Sequence, residues 1–205
     1  MAGISAILLA AGESTRMGRL KALLDWQGTT LLEWQVQTLL RAGASDVIVV
    51  LGHRPEEVGQ YARGHHVRTV VNSQYKQGKT TSIKTGLKAL STKAKSILLL
   101  AVDQPRPLAI VKQVIQEHMA GNSLITAPRY QGHGGHPLAL DISLKPELEA
   151  ITEEKQGIRE VMDGHRSEIR WIDVDTPIVR LDLNTPQDYE QAKSLFAEMD
   201  KEKAR

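Results

Sequence analysis

Short apolar runs alternate with stretches whose apolar positions recur every three or four residues, and this alternation sets the expected elements. Residues 5–9 read as a first strand. Over 31–40, Leu31, Leu32, Val36, Leu39 and Leu40 share one helix face, and Gly43 stops that helix. Val47, Ile48, Val49 and Val50 make an unbroken β-branched run within 46–51, the pattern of a strand buried on both faces. A short helix opened by Pro55 is expected over 55–62, and a third strand over 67–71. A helix over 80–90, a strongly apolar and central strand over 96–102 and a helix over 107–119 follow. Strands are expected over 124–127 and 137–140, short helices over 146–151 and 157–162, late strands over 169–174 and 178–183, and a closing helix over 186–199. Strand–helix alternation predicts an α/β fold, a three-layer α/β/α sandwich with a mostly parallel central sheet. The chain reads as one domain over 1–200 with a frayed tail at 201–205, and the Gly- and His-rich stretch over 130–136 reads as an active-site rim.

Composition narrows the function classes. With 41% apolar and 24% charged residues the chain is ordinary for a soluble domain. A net charge of +2 is too small to argue for a nucleic-acid partner. The absence of cysteine excludes disulfides, thiolate metal sites and a cysteine nucleophile, and fits a reducing cytoplasm. No apolar run approaches the ~20 residues needed to span a bilayer. No basic, cleavable leader precedes the first strand, so a cytoplasmic location without a membrane partner is expected.

The chemistry concentrates after the first strand. Ala10, Ala11 and Gly12 carry almost no side chain, so backbone can approach a base or phosphate closely. Arg16, Arg19 and Lys21 then supply positive charge suited to a triphosphate. The loop matches neither the Walker nor the dinucleotide fingerprint. Asp103 ends the central strand, where open α/β sheets bind ligands, and its carboxylate suits Mg²⁺. Pro105 and Pro107 also allow a capping role nearby. Asp182 and Asn184 lie two apart and would face one side of a strand; either could be the second metal ligand, with the charged Asp182 preferred. Thr185 before Pro186 is equally a helix N-cap. Hydroxyls at Thr80, Thr81 and Ser82 open a helix whose N–H groups suit anions or polar acceptors, or serve simply as caps. His133 and His136 in a glycine-rich loop invite zinc, but no third ligand or cysteine completes a set. The histidines at 53, 65, 66, 118 and 165 read as ordinary surface or loop residues.

The segment from Leu9 to Lys21, Leu-Ala-Ala-Gly-x-Ser-x-Arg-Met-Gly-x-x-Lys, resembles the signature of GT-A-like nucleotidyltransferases, and more narrowly the molybdenum cofactor cytidylyltransferase family. The motifs run in family order to Tyr189. The resemblance implies that Leu9, Ala10, Ala11 and Gly12, with Asn72, Gly78 and Ser82, hold the nucleotide, and that Arg16, Lys21 and Asp103 serve catalysis. It implies a metal site at Asp103 with Asp182 or Asn184; the family's segment is often Asp-x-Asp-Thr-Pro, and here its second acid is Asn184. It places His136 and Arg159 on the acceptor side. Ala11, where guanylyl relatives usually carry glycine, implies CTP. The implied reaction joins CTP to a molybdopterin-type acceptor and releases pyrophosphate, with a molybdenum hydroxylase as client. Rival expectations are a guanylyltransferase, a sugar- or alcohol-phosphate nucleotidyltransferase, and a non-enzymatic cofactor chaperone.

Overall fold

Each central strand sends alternate residues to opposite faces, and both faces are apolar, so the sheet must be covered on both sides. In the computed structural model, which describes residues 3–203, this is how the chain folds. Strand β1 (Ile4–Ala10) sends Ala6 and Leu8 into one core and Ile7 and Leu9 into the other. A small hairpin, β2 (Asp25–Trp26) and β3 (Thr29–Thr30), leads into α1 (Leu31–Ala42). Thr30 and Glu33 form a reciprocal capping box at the start of α1, satisfying backbone donors the helix cannot. Strand β4 (Asp46–Leu51), α2 (Pro55–Gly59), β5 (Val67–Val71) and α3 (Lys79–Lys88) follow. Then come β6 (Ser96–Ala101), α4 (Leu108–Ala120), β7 (Ile125–Tyr130), β8 (His133–Gly134) and β9 (Leu138–Asp141). The chain closes with α5 (Lys145–Ala150), α6 (Ile158–Gly164), β10 (Ile169–Asp173) and α7 (Pro186–Lys203).

The main sheet has the order β10-β7-β9-β6-β1-β4-β5, with β8 paired to β7. The pairs β6–β1, β1–β4, β4–β5 and β7–β10 are parallel, whereas β9 runs antiparallel between β6 and β7. Helices α1, α4 and α7 bury their apolar sides on one face, and α3, α5 and α6 on the other. This is the expected three-layer, mostly parallel architecture. Helix α3 sits so close to the sheet that a Cβ on Gly86 would lie 2.5 Å from Ile7 Cγ2.

Three expectations are corrected. The helix opened by Pro55 ends at Gly59 rather than 62. The strand expected over 178–183 does not form: Pro177–Arg180 is a 3₁₀ turn followed by extended chain. Its apolar residues Ile178, Val179 and Leu183 are fully buried, so burial rather than pairing explains the run. His118 is not a surface residue; it is buried on α4, with Nδ1 3.0 Å from Thr126 Oγ1. Burial holds its imidazole below the usual range, against a smaller opposing pull from Asp141. Of the tail expected to fray, α7 includes residues up to Lys203, and the rest lies outside the described residues.

Candidate active site

The carboxyl ends of the parallel strands, where such sheets bind ligands, open onto a cleft of about 300 Å³. Leu9, Ala10, Ala11, Gly12, Lys21, Gly78, Ser82 and Asp103 all line it. These are eight of the residues that sequence reasoning assigned to nucleotide and catalysis. A Cβ built on Gly12 would meet no protein atom within 4 Å, so the space beyond it is free for a ligand.

The loop after β1 is shaped by its own backbone. Ser14 and Gly18 adopt left-handed conformations on either side of a short turn at Thr15–Met17. Ser14 Oγ accepts from the Lys21 N–H at 3.1 Å, which anchors the base of the lysine. The Lys21 ammonium donates to Asp103 Oδ2 at 2.9 Å and to Asn184 Oδ1 at 3.1 Å. Arg16 Nη2 donates to the same Asn184 oxygen at 3.0 Å. The Lys21 side chain is 12% exposed and that of Asp103 27%, so this ion pair is partly shielded from water.

The main chain holds this cluster together. Leu183 N–H donates to Asp103 carbonyl oxygen at 2.8 Å, and Val102 N–H to that of Leu9 at 2.9 Å. Gln35, reaching from α1, donates to the Ala101 and Val102 carbonyls. Asp103 therefore stands at a strand end braced from three sides. Asn184 stands at the mouth of α7, where Thr185 and Asp188 cap each other and Asp188 also accepts from the Asn184 N–H. Burial raises the Asp188 pKa, but hydrogen bonds from Thr185 and Asn184 and the charge of Lys21 outweigh it and hold the carboxyl low.

The structure separates the two candidates for second metal ligand. Asn184 Oδ1 shares the Lys21 ammonium with Asp103. Asp182 turns to another partner set: its Oδ1 accepts from Gln104 Nε2 at 3.0 Å and lies 3.9 Å from Arg106 Nη2. Arg106 is fully buried, and its guanidinium donates to the carbonyl oxygens of Pro105, His136 and Leu181. Burial pulls its pKa down to about 10, with Asp182 and then Asp103 opposing, so it stays charged at neutral pH. His136 sits beside it with Nδ1 3.3 Å from Gln104 Nε2. Burial first, then Lys79 and Arg106, push the His136 imidazole down to about 3.

Asn72 and Arg159 fall elsewhere. Asn72 is buried beneath the β5–α3 connection, donating to Thr81 Oγ1 and Ser82 Oγ while its Oδ1 accepts from the Gln74 N–H. It shapes the Gly78–Ser82 side of the cleft from below. Arg159 is exposed on α6, 3.3 Å from Gln156 Oε1, and is not among the cleft-lining residues. Sequence reasoning missed Ser14, Lys79, Gln104 and Arg106. Ser14 lies inside the glycine-rich motif and Gln104 follows Asp103 directly, which were usable signals; Arg106 between Pro105 and Pro107 offered none.

Asp103 and Asn184 offer oxygen donors only, and a single ammonium already sits within hydrogen-bonding distance of both. That donor set fits a hard divalent cation completed by substrate phosphates and water. Among the described residues no group of three or more His, Asp or Glu forms a self-sufficient metal cage.

Comparison with known proteins places the chain among relatives of similar sequence and fold. The chain is 34% identical over 164 residues to nicotine blue oxidoreductase of Paenarthrobacter nicotinovorans, covering 76% of this chain and 79% of that protein. It is 28% identical over 206 residues to molybdenum cofactor cytidylyltransferase of Escherichia coli K12, covering 97% and 100%. A solved nucleotidyl transferase from Methanothermobacter thermautotroptrophicus superimposes with a TM-score of 0.82 at 26% identity, over 97% of this chain and 100% of that one. The profile of the MobA-like NTP transferase domain matches residues 6–169, and with the cation-lined cleft in place the chain belongs to that family of nucleotidyltransferases.

Proposed function

We propose that this protein is a Mg²⁺-dependent cytidylyltransferase that moves CMP from CTP to a molybdopterin-type phosphate and releases pyrophosphate. The observation that carries the reading is the Lys21 ammonium shared between Asp103 and Asn184 at the mouth of a small-residue cleft. Near-complete mutual coverage with a cytidylyltransferase supports the nucleotide and the acceptor.

The chemistry asks little of a general base. A phosphate oxygen of the acceptor is ionised near neutral pH and can attack the α-phosphorus in line, breaking the bond to pyrophosphate. Asp103 and Asn184 would hold the metal ion, which when bound neutralises charge on the phosphates. Lys21 then gives up its contact with Asp103 and turns to the triphosphate. Arg16, exposed beside it, adds a second cation as charge shifts onto the leaving group. Ala10, Ala11 and Gly12 let the nucleotide approach the backbone, and His136 faces the acceptor. Catalysis on this account is positioning and electrostatics.

The test incubates the protein with Mg²⁺, molybdopterin cofactor, and CTP or GTP, and follows pyrophosphate. Release with CTP well above that with GTP is the expected result. Preference for GTP would move the protein to guanylyl transfer, and release with sugar or alcohol phosphates instead would move the acceptor. No release with any pair would sink the transferase reading in favour of carriage or of a redox reaction such as the name of the first relative describes.

A further inference from the structure

Gln104 is buried, and both ends of its amide are engaged. Its Oε1 accepts from the Ala101 N–H at 3.1 Å. A backbone N–H only donates, so this contact decides which end of the amide is oxygen. The NH₂ group must then occupy the other end, where Nε2 lies 3.0 Å from Asp182 Oδ1 and 3.3 Å from His136 Nδ1. An amide NH₂ has two hydrogens and no acceptor lone pair. One hydrogen goes to the Asp182 carboxylate. The other goes to His136 Nδ1, which can meet it only with its own lone pair. A neutral ring whose Nδ1 is an acceptor carries its proton on Nε2.

We propose that Gln104 is a positioning residue that fixes His136 as the Nε2–H tautomer, so that His136 meets the acceptor as a neutral hydrogen-bond donor and not as an acid or base. The same amide holds Asp182, so one side chain aligns the acceptor histidine with the acidic segment before α7. Arg106 secures the frame: its Nε donates to the His136 carbonyl at 3.1 Å and its Nη1 to that of Leu181 at 2.8 Å. Both loops are therefore tied to one buried guanidinium, and neither ring nor carboxylate is free to drift from Gln104. Burial beside Lys79 and Arg106 also disfavours a second proton on the ring. An N–H donor at this place selects an oxygen on the incoming substrate, a phosphate oxygen or a ring carbonyl. The identity of the acceptor rests on the cytidylyltransferase reading; the tautomer does not.

The tautomer is read directly by long-range ¹H–¹⁵N correlation on ¹⁵N-histidine protein, with the His136 signals assigned by their loss in His136→Asn. The expected wild-type pattern is Nε2–H throughout the neutral range. Gln104→Leu keeps the volume and removes both donors together with the acceptor of the Ala101 N–H; the ring should relax to mixed tautomers, and KM for the acceptor should rise about tenfold, more than KM for CTP. Gln104→Glu keeps the acceptor for the Ala101 N–H and loses the NH₂ donor, so the preference for Nε2–H should again be lost. An Nδ1–H or doubly protonated ring in the wild type overturns the proposal without any variant, as does an unchanged tautomer in Gln104→Leu. If the wild type shows Nε2–H and yet transfers no nucleotide to any acceptor, the functional reading fails and the assignment of Gln104 stands.

Discussion

The cation cluster at the cleft and the buried cluster next to it in the chain, which begins at Gln104 and does not line the cleft, are built on opposite plans. On the β1 side, Lys21 and Arg16 are cations in contact with water or close to it, sharing Asp103 and Asn184 through contacts that can be exchanged. On the β9 side, Arg106 is sealed inside the protein, and it, Gln104, His136 and Asp182 are joined by contacts that leave little freedom. The difference suits the task proposed for each. A site that takes in a highly charged, metal-bound triphosphate must let its own ion pairs come apart. A site that presents one hydrogen-bond donor at a fixed angle gains from having its partners settled before the substrate arrives.

The sharpest break in this comparison is Asp103→Ala. It removes the carboxylate on the exchangeable side and should lower nucleotidyl transfer by about a thousandfold or more, with far-UV circular dichroism unchanged. Normal turnover would refute a metal role for Asp103. On the settled side the matching change is Arg106→Met, and its expected cost is in folding. Three carbonyl oxygens lose their donor, so the loss of stability should be about 3 kcal/mol in urea unfolding. Removing Lys21 instead should leave stability within about 1 kcal/mol, because both partners of this pair keep some access to water. If both variants destabilised the protein alike, the contrast between the two sides would be lost.

Lys21→Met sharpens the comparison further because its two readouts run in opposite directions. Transfer should fall about a hundredfold through loss of a cation on the phosphates. Free Mn²⁺, followed by electron paramagnetic resonance without nucleotide, should bind more tightly, because Asp103 and Asn184 are released from the ammonium. Weaker Mn²⁺ binding in the variant would show that Lys21 does not stand where the cation goes.

How far these features could be read from the chain follows the same division. The β1 side is local: small residues, hydroxyls and cations fall within thirteen positions of one another, from Leu9 to Lys21, and a strand end needs only the apolar run before it to be recognised. The central strands were legible because burial on both faces leaves a continuous apolar signature. The β9 side is assembled from segments far apart in sequence. Gln104 meets Asp182 across 78 positions and His136 across 32, and nothing in the spacing announces either contact. The run over 178–183 misleads for a related reason. Ile178 and Val179 are buried like strand residues, but the Val179 carbonyl accepts from the His136 N–H, and a Cβ on Gly135 would lie 2.3 Å from that oxygen. The segment is shaped by the loop it supports, and Pro177 starts a turn rather than a strand.

The remaining test is the pH dependence of stability, and its sign separates histidines that burial keeps neutral from one whose hydrogen bonds favour its charged form. His118 and His136 have folded pKa values below that of the unfolded chain, because burial disfavours the charged ring. As pH falls through the unfolded histidine value of about 6.5, the unfolded state takes up protons that the folded state refuses, and stability declines. For His136 the decline continues toward about 3. His165 runs the other way. Hydrogen bonds to Glu168 and then Glu147 raise its pKa, so its contribution is complete below the unfolded value and disappears as pH rises through the folded one. Its side chain is 19% exposed, so salt should screen it in part, whereas the two rings that burial keeps neutral should respond less to salt. Urea midpoints across this pH range at low and high salt test the distinction. His118→Phe should flatten part of the acid decline at either salt concentration, and His165→Gln should lower stability on the acid side more at low salt than at high. A decline on the acid side that vanished with salt would place its source on the surface, and the settled character of the β9 side would then have to rest on Arg106 without His136.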